Sequence, residues 1–274
     1  MPPKFHFISG LPRSGSTLLS AILRQNPRYH ASMTSAVGSL FSSVIAQLSA
    51  GSEYAPLVSR EQKRQLLKGL FSSYYHDKQD KQVIFDTNRM WSARLPALLD
   101  LYPGAKMLCM VRNVAWVLDS FESKFQQDPF ENTSLYQNEQ ERNTVYSRAE
   151  ALIGKHRQVG FPWAALRDAY YSKHADSMLL IDYEILTRDP AKVMPLIYEF
   201  LGEEAFEHDF ENVDYDEPQF DDALGMVGLH KVQPRVKFTP RTTVLPPDLY
   251  DKYSQMSFWL DRSHSMAHVI SPKS

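Results

Sequence analysis

Six residues able to hold an anion fall within eight positions in the run GLPRSGST: Gly10, Arg13, Ser14, Gly15, Ser16 and Thr17. A buried strand, FHFI, precedes them, and Thr17 to Leu23 follow as a helix carrying Leu18, Leu19, Ile22 and Leu23. Strand, glycine loop and helix N-terminus together form an anion site. Backbone N–H groups that lack helical partners converge on one point, and the helix dipole adds partial positive charge there. Gly10 to Thr17 have the spacing of GxxxxGK[ST], but Ser16 stands where that motif has lysine. Arg13 is the loop's only cation. Without the lysine, and without an apolar run ending in paired carboxylates to hold magnesium, a triphosphate is poorly served. A smaller anion bound without metal fits better.

A second cluster lies in VRNVAWVLDSF, where Arg112 leaves a strand and Ser120 follows on the next helix. A planar guanidinium fork and a hydroxyl donor suit a second phosphate. A third is FDTNR, with Asp86 and Arg89 at a strand end. Arg89 would offset charge developing in a transfer reaction, and Asp86 would take a proton or position Arg89. His30 follows the first helix, and its ordinary pKa suits general-base work near neutrality. A fourth stretch, His230 to Arg241, holds five basic residues in twelve.

The elements that must position these groups alternate. Strands at Phe5–Ile8, Gln82–Arg89, Ala105–Asn113 and Ser177–Leu186 are each followed by a helical pattern. That alternation argues α/β architecture: a parallel sheet with helices on both faces. Ligands of such sheets bind at the carboxyl ends of the strands, so the first three clusters should meet at one edge. The 274 residues are read as a single domain, 1–274. Residues 126–148, rich in Gln, Asn, Glu and Ser, read as a loop or lid insertion, and 230–241 as a basic lid loop. The four tryptophans read as core.

Composition narrows the class further. A net charge of −2 gives no global field for nucleic acid or an anionic membrane. A single cysteine, Cys109, excludes an internal disulfide and fits a reducing compartment. Cys109 sits in the apolar run MLCMV and reads as a small buried hydrophobe. No apolar run is long enough to span a membrane, and no signal segment is evident, so a cytoplasmic protein is expected. No Cys/His cluster offers a metal site.

The first loop and the Arg-x7-Ser pair, in this order on strand ends, resemble the PAPS-dependent sulfotransferases, where PAPS is 3′-phosphoadenosine 5′-phosphosulfate. The loop's PRSG form is similar to that of the tyrosylprotein and bacterial branch. The resemblance spans roughly Phe5 to Leu201 and implies a P-loop-type parallel sheet flanked by helices on both faces. It implies that Arg13, Ser14, Gly15, Ser16 and Thr17 bind the 5′-phosphosulfate, and that Arg112 and Ser120 bind the 3′-phosphate. It also places Tyr183, in LLIDYEIL, beside the adenine. The expected reaction is in-line transfer of a sulfuryl group to an acceptor hydroxyl or amine. At FDTNR this chain departs from the family, which has a lysine there and, in the cytosolic branch, a catalytic histidine. The tyrosylprotein branch takes its base from a glutamate after the first helix, whereas here Thr34 lies near that place. Two rivals stay open, a P-loop phosphotransferase and a nucleotide-binding module without catalysis. The acceptor also stays open among peptide tyrosine, small phenol, sugar and lipid alcohol, and so does a homodimer.

Overall fold

The computed structural model describes residues 2–127, 135–223 and 230–272. The chain begins with β1 (Lys4–Gly10), α1 (Ser16–Leu23), β2 (Tyr29–Ala31), α2 (Val37–Gln47) and α3 (Arg60–Tyr74). It continues through β3 (Val83–Thr87), α4 (Trp91–Leu101), β4 (Met107–Val111) and α5 (Val114–Gln127). After α6 (Glu139–Arg142), α7 (Val145–Ile153) and α8 (Gly160–Tyr170) come β5 (Met178–Asp182), α9 (Tyr183–Arg188) and α10 (Pro190–Leu201). The last elements are α11 (Pro218–Ala223), α12 (Pro247–Ser254) and β6 (His268–Ile270).

The six strands form one sheet in the order β2-β3-β1-β4-β5-β6, and every pairing is parallel. All five residues of β3, of β4 and of β5 are buried, as strands covered on both faces must be. Strand period two divides them between two cores. Phe7, Ile84 and Cys109 face a cluster with Phe41, Phe71, Trp91 and Trp259. Ile8, Phe85 and Met110 face one with Leu19, Ile22, Ile181 and Ile197. Burial pushes the Cys109 thiol pKa well up, so the residue behaves as a small hydrophobe.

The chain is thus a single domain with a six-stranded parallel sheet flanked by helices, as its alternation of elements implies. Several local expectations are corrected. The run Ser177–Leu186 is not all strand: Asp182 accepts from the Glu184 and Ile185 N–H groups and so caps a new helix at Tyr183. Residues 145–148, expected in a loop, open α7, with Thr144 and Ser147 forming a reciprocal cap. The rest of the expected 126–148 insertion includes 128–134, which lie outside the described residues. Residues 218–223, within an acidic stretch, form the short helix α11. Leu40 on α2 and Leu66 on α3 point to water. Trp91 and Trp259 are buried, whereas Trp116 and Trp163 are only half-buried. No helix among the described residues is long and apolar enough to cross a membrane.

Three histidines are held neutral by the fold. Burial, aided by Lys4 and Lys106, pushes His6 on β1 down to about 4. Burial is also the largest cause of the same shift, to about 4, at His30 and His208. Between the ordinary value of 6.5 and about 4 the unfolded chain binds more protons at these sites. Their contribution is therefore present above pH 6.5 and lost as pH falls towards 4. His6 Nδ1 accepts the Lys106 N–H at 3.0 Å, so only the neutral ring with Nδ1 bare serves the fold. Urea unfolding at pH 7 and pH 4.5 should show the wild type losing up to about 3 kcal/mol more than His6→Gln on acidification. Parallel losses in the two proteins would remove His6 from this account.

Candidate active site

At the carboxyl ends of β1, β3, β4 and β5 the chain leaves a cleft of about 1160 Å³. The first wall is the loop after β1. Gly10 and Gly15 have φ of 117° and 94°, and Arg13 itself is left-handed at 57°. A Cβ on Gly10 would sit 2.1 Å from the Met110 carbonyl oxygen, and one on Gly15 2.6 Å from the Tyr183 ring. Glycine is therefore required twice, once to turn under β4 and once to let the loop pass the tyrosine. The loop is tied to β4 by the Leu11 N–H donating to the Met110 carbonyl at 2.9 Å. The Ser14 hydroxyl faces the same carbonyl at 2.9 Å and is fully buried. Of the loop residues expected to bind, Ser14 thus has a side chain turned away from the cleft, while Arg13, Gly15, Ser16 and Thr17 line it.

The second wall brings in residues about a hundred positions away. Arg13 Nε donates to Ser120 Oγ at 3.1 Å. Arg112 lies over the Tyr183 ring, 4.5 Å from its centroid. Among the described residues, the buried Arg112 Nε has no hydrogen-bond partner. The Arg13, Arg112, Ser120 and Tyr183 side chains and the Gly15 backbone therefore form one contiguous surface. Burial lowers the Arg13 pKa, and the charges of Arg112, Arg241 and Arg89 lower it further. Such crowding of guanidiniums favours an incoming anion. Among the described residues lining the cleft, eight are Arg or Lys and none is Asp or Glu.

Two expected catalytic groups are not in the cleft. On β3, side chains alternate, so Asp86 shares the face of Ile84 and Thr87 the opposite one. Thr87 lines the cleft, whereas Asp86 points into the aromatic core. There it accepts from Ser35 Oγ (2.7 Å), Tyr75 OH (2.8 Å) and Trp91 Nε1 (2.8 Å). Burial raises its pKa, and those three donors oppose the shift. His30 lies on edge strand β2 opposite Ile84, with its ring 5.4 Å from that of Tyr75. The part of this segment that reaches the cleft is Met33 and Thr34. Arg89, in the turn between β3 and α4, does line the cleft, and its Nη1 donates to Gln158 Oε1 at 3.1 Å.

The stretch 230–241 lines the cleft over most of its length. It starts on the β2 side: the Val232 N–H donates to the Tyr215 carbonyl at 3.0 Å, and the Tyr215 hydroxyl accepts the Met33 N–H at 2.8 Å. It ends on the far side. Arg188 lies 3.8 Å over the Phe238 ring, and Arg241 pairs with Asp119 at 2.7 Å, next to Ser120. The segment thus crosses the cleft from one wall to the other. Charge hinted at its position, but Arg241 was not separable from its neighbours by sequence. The Asp119 that selects it lies far away in the chain, on α5, which only the fold reveals.

The sulfotransferase family model matches residues 6–208. The chain belongs to the sulfotransferase family, and its reaction is sulfuryl transfer. None of the curated proteins matches it. Among solved structures, the sulfotransferase domain of the Synechococcus PCC 7002 olefin synthase is 18% identical, with 93% of this chain and 94% of that one covered and a TM-score of 0.50. A sulfotransferase from Alicyclobacillus acidocaldarius is 22% identical over 82% of this chain and 90% of its own, with a TM-score of 0.46. The mouse sulfotransferase SULT7A1, solved in complex with PAP, is 14% identical over 95% and 86%, with a TM-score of 0.47.

Proposed function

We propose that the cleft binds PAPS and transfers its sulfuryl group to an acceptor hydroxyl or amine. One observation carries the reading: the loop after β1 and the Arg112–Ser120 pair, distant in sequence, meet through the 3.1 Å contact between Arg13 and Ser120. A nucleotide with phosphates at both ends of its ribose matches two adjoining anion sites. The residues fit such a ligand. Arg112 has a buried nitrogen without a partner among the described residues, and the cleft's cations face no described carboxylate lining it. The bound donor supplies the sulfuryl group and a bisphosphate leaving group.

The chain's own groups supply position and field. The N–H groups of the loop, Arg13, Ser16 and Thr17 hold the phosphosulfate end. Arg112 and Ser120 hold the 3′-phosphate, with Arg241 adding charge beside Ser120. The Tyr183 ring lies against the adenine. Arg89, on the β3 side, offsets charge as it develops on the transferring group. Holding donor and acceptor in line removes the entropic part of the barrier, and no covalent enzyme intermediate is needed. The acceptor enters between the β2 and β3 ends and the 230–241 segment, where Met33, Met90, Phe161 and Pro162 give apolar contact.

Calorimetry tests the donor assignment. The protein should bind 3′,5′-adenosine bisphosphate and not magnesium ATP, and the reverse would overturn it. Labelled sulfate from PAPS, offered to a panel of 4-nitrophenol, sugars, long-chain alcohols and tyrosine peptides, then identifies the acceptor class. Binding of the bisphosphate without transfer to any acceptor would support a nucleotide-binding module instead.

A further inference from the structure

Resting on the sulfotransfer reading above, we propose that His230 is the general base of the reaction and Asp221 the residue that positions it. His30 and Asp86, the bases suggested by sequence, lie outside the cleft. No Asp or Glu lines it among the described residues, and two histidines, His156 and His230, do. Asp221, in the first turn of the short helix α11, is fully buried and sits 2.5 Å from His230 Nδ1. Its second oxygen accepts the His230 main-chain N–H at 2.9 Å. One carboxylate thus fixes both the backbone and the ring. Among the described residues no carboxylate pairs with His156.

A buried carboxylate facing Nδ1 selects the tautomer with the proton on Nδ1 and leaves Nε2 as the basic nitrogen. It also stabilises the imidazolium formed when Nε2 gains a proton. The placement suits an acceptor. His230 opens the segment that crosses the cleft, and two residues later Val232 is joined through Tyr215 to Met33, on the side away from Arg112. Met33 and Thr34 line that same side.

In the step, the acceptor O–H gives its proton to His230 Nε2 as its oxygen forms a bond to sulfur. The bond from sulfur to the bridging phosphate oxygen breaks, and that oxygen keeps the electron pair. The products are the sulfated acceptor, 3′,5′-adenosine bisphosphate and a protonated histidine, which returns its proton to water.

The test has two readouts on the full chain. In ¹⁵N-histidine spectra the free enzyme should show His230 as the Nδ1–H tautomer, and Asp221→Asn should abolish that preference. A proton on Nε2 in the wild type would overturn the proposal without any variant being made. His230→Ala should lower kcat at least ~100-fold on the best panel acceptor, with the bisphosphate Kd within about threefold of wild type. Added imidazole should restore part of the rate. Asp221→Asn should lower kcat while leaving the PAPS KM unchanged. A His230→Ala enzyme within about threefold of wild-type kcat would overturn this inference and leave the sulfotransfer reading standing. A wild type that neither binds the bisphosphate nor transfers sulfate would refute that reading, and the general-base assignment with it.

Discussion

Arg112→Ala is expected to weaken binding of 3′,5′-adenosine bisphosphate about 100-fold while changing the affinity for 5′-AMP less than about fivefold. A 100-fold loss corresponds to about 2.7 kcal/mol, within the range for removing a charge-assisted hydrogen bond from a buried site. The asymmetry follows from the geometry. The guanidinium is already oriented by its stack on Tyr183, and its buried Nε has no hydrogen-bond partner among the described residues. Its ordering is therefore complete before ligand arrives, and the binding energy is directed to the phosphate. Arg112→Lys should recover little, because an ammonium neither stacks on the ring nor offers the planar fork. Calorimetry with the two nucleotides checks both statements. Equal losses for both would move Arg112 away from the 3′-phosphate.

The second large effect is on the fold. Asp86→Ala should cost about 4 kcal/mol of unfolding free energy, because it removes the shared acceptor of three buried donors and opens a cavity among aromatic rings. Tyr75, Trp91 and Ser35 would then face one another with no carboxylate between them. Asp86→Asn keeps an acceptor and the volume, so the folded variant should turn over within about threefold of wild type. Urea unfolding and steady-state rates together decide the matter. A stable Asp86→Asn enzyme with turnover reduced ~100-fold would return Asp86 to the catalytic list.

Asp86 also shows where sequence reading fails. Strand ends at a sheet's carboxyl edge are expected to carry function, and FDTNR has a carboxylate and an arginine there. Strand period two sends Asp86 to one face and Thr87 to the other, and which face borders the cleft depends on how the neighbouring helices pack. His30 fails for a related reason. Its position after the first helix is right, but Met33 and Thr34 rather than His30 reach the cleft. Ser14 was legible as part of the loop but not as its anchor, because the Met110 carbonyl it faces is on another strand. The Asp221–His230 pair was invisible for want of a motif: a carboxylate and a histidine nine residues apart have no helical or strand spacing that would place them together.

What the sequence determined by itself was the glycine loop, the parallel α/β arrangement and the residue types of the proposed second phosphate site. Those features are local. Glycines at left-handed positions, a helix N-terminus, and the alternation of apolar runs all act within a few residues. Tertiary structure alone decided which groups share the cleft. Arg13 reaches Ser120, Arg241 is drawn to Asp119, and the 230–241 segment crosses from Met33 to Arg188 only because the sheet order places β3 and β4 on either side of β1, with β5 next to β4. The meeting of side chains from distant positions depends on strand order and facing, and neither is encoded in the spacing of the residues concerned.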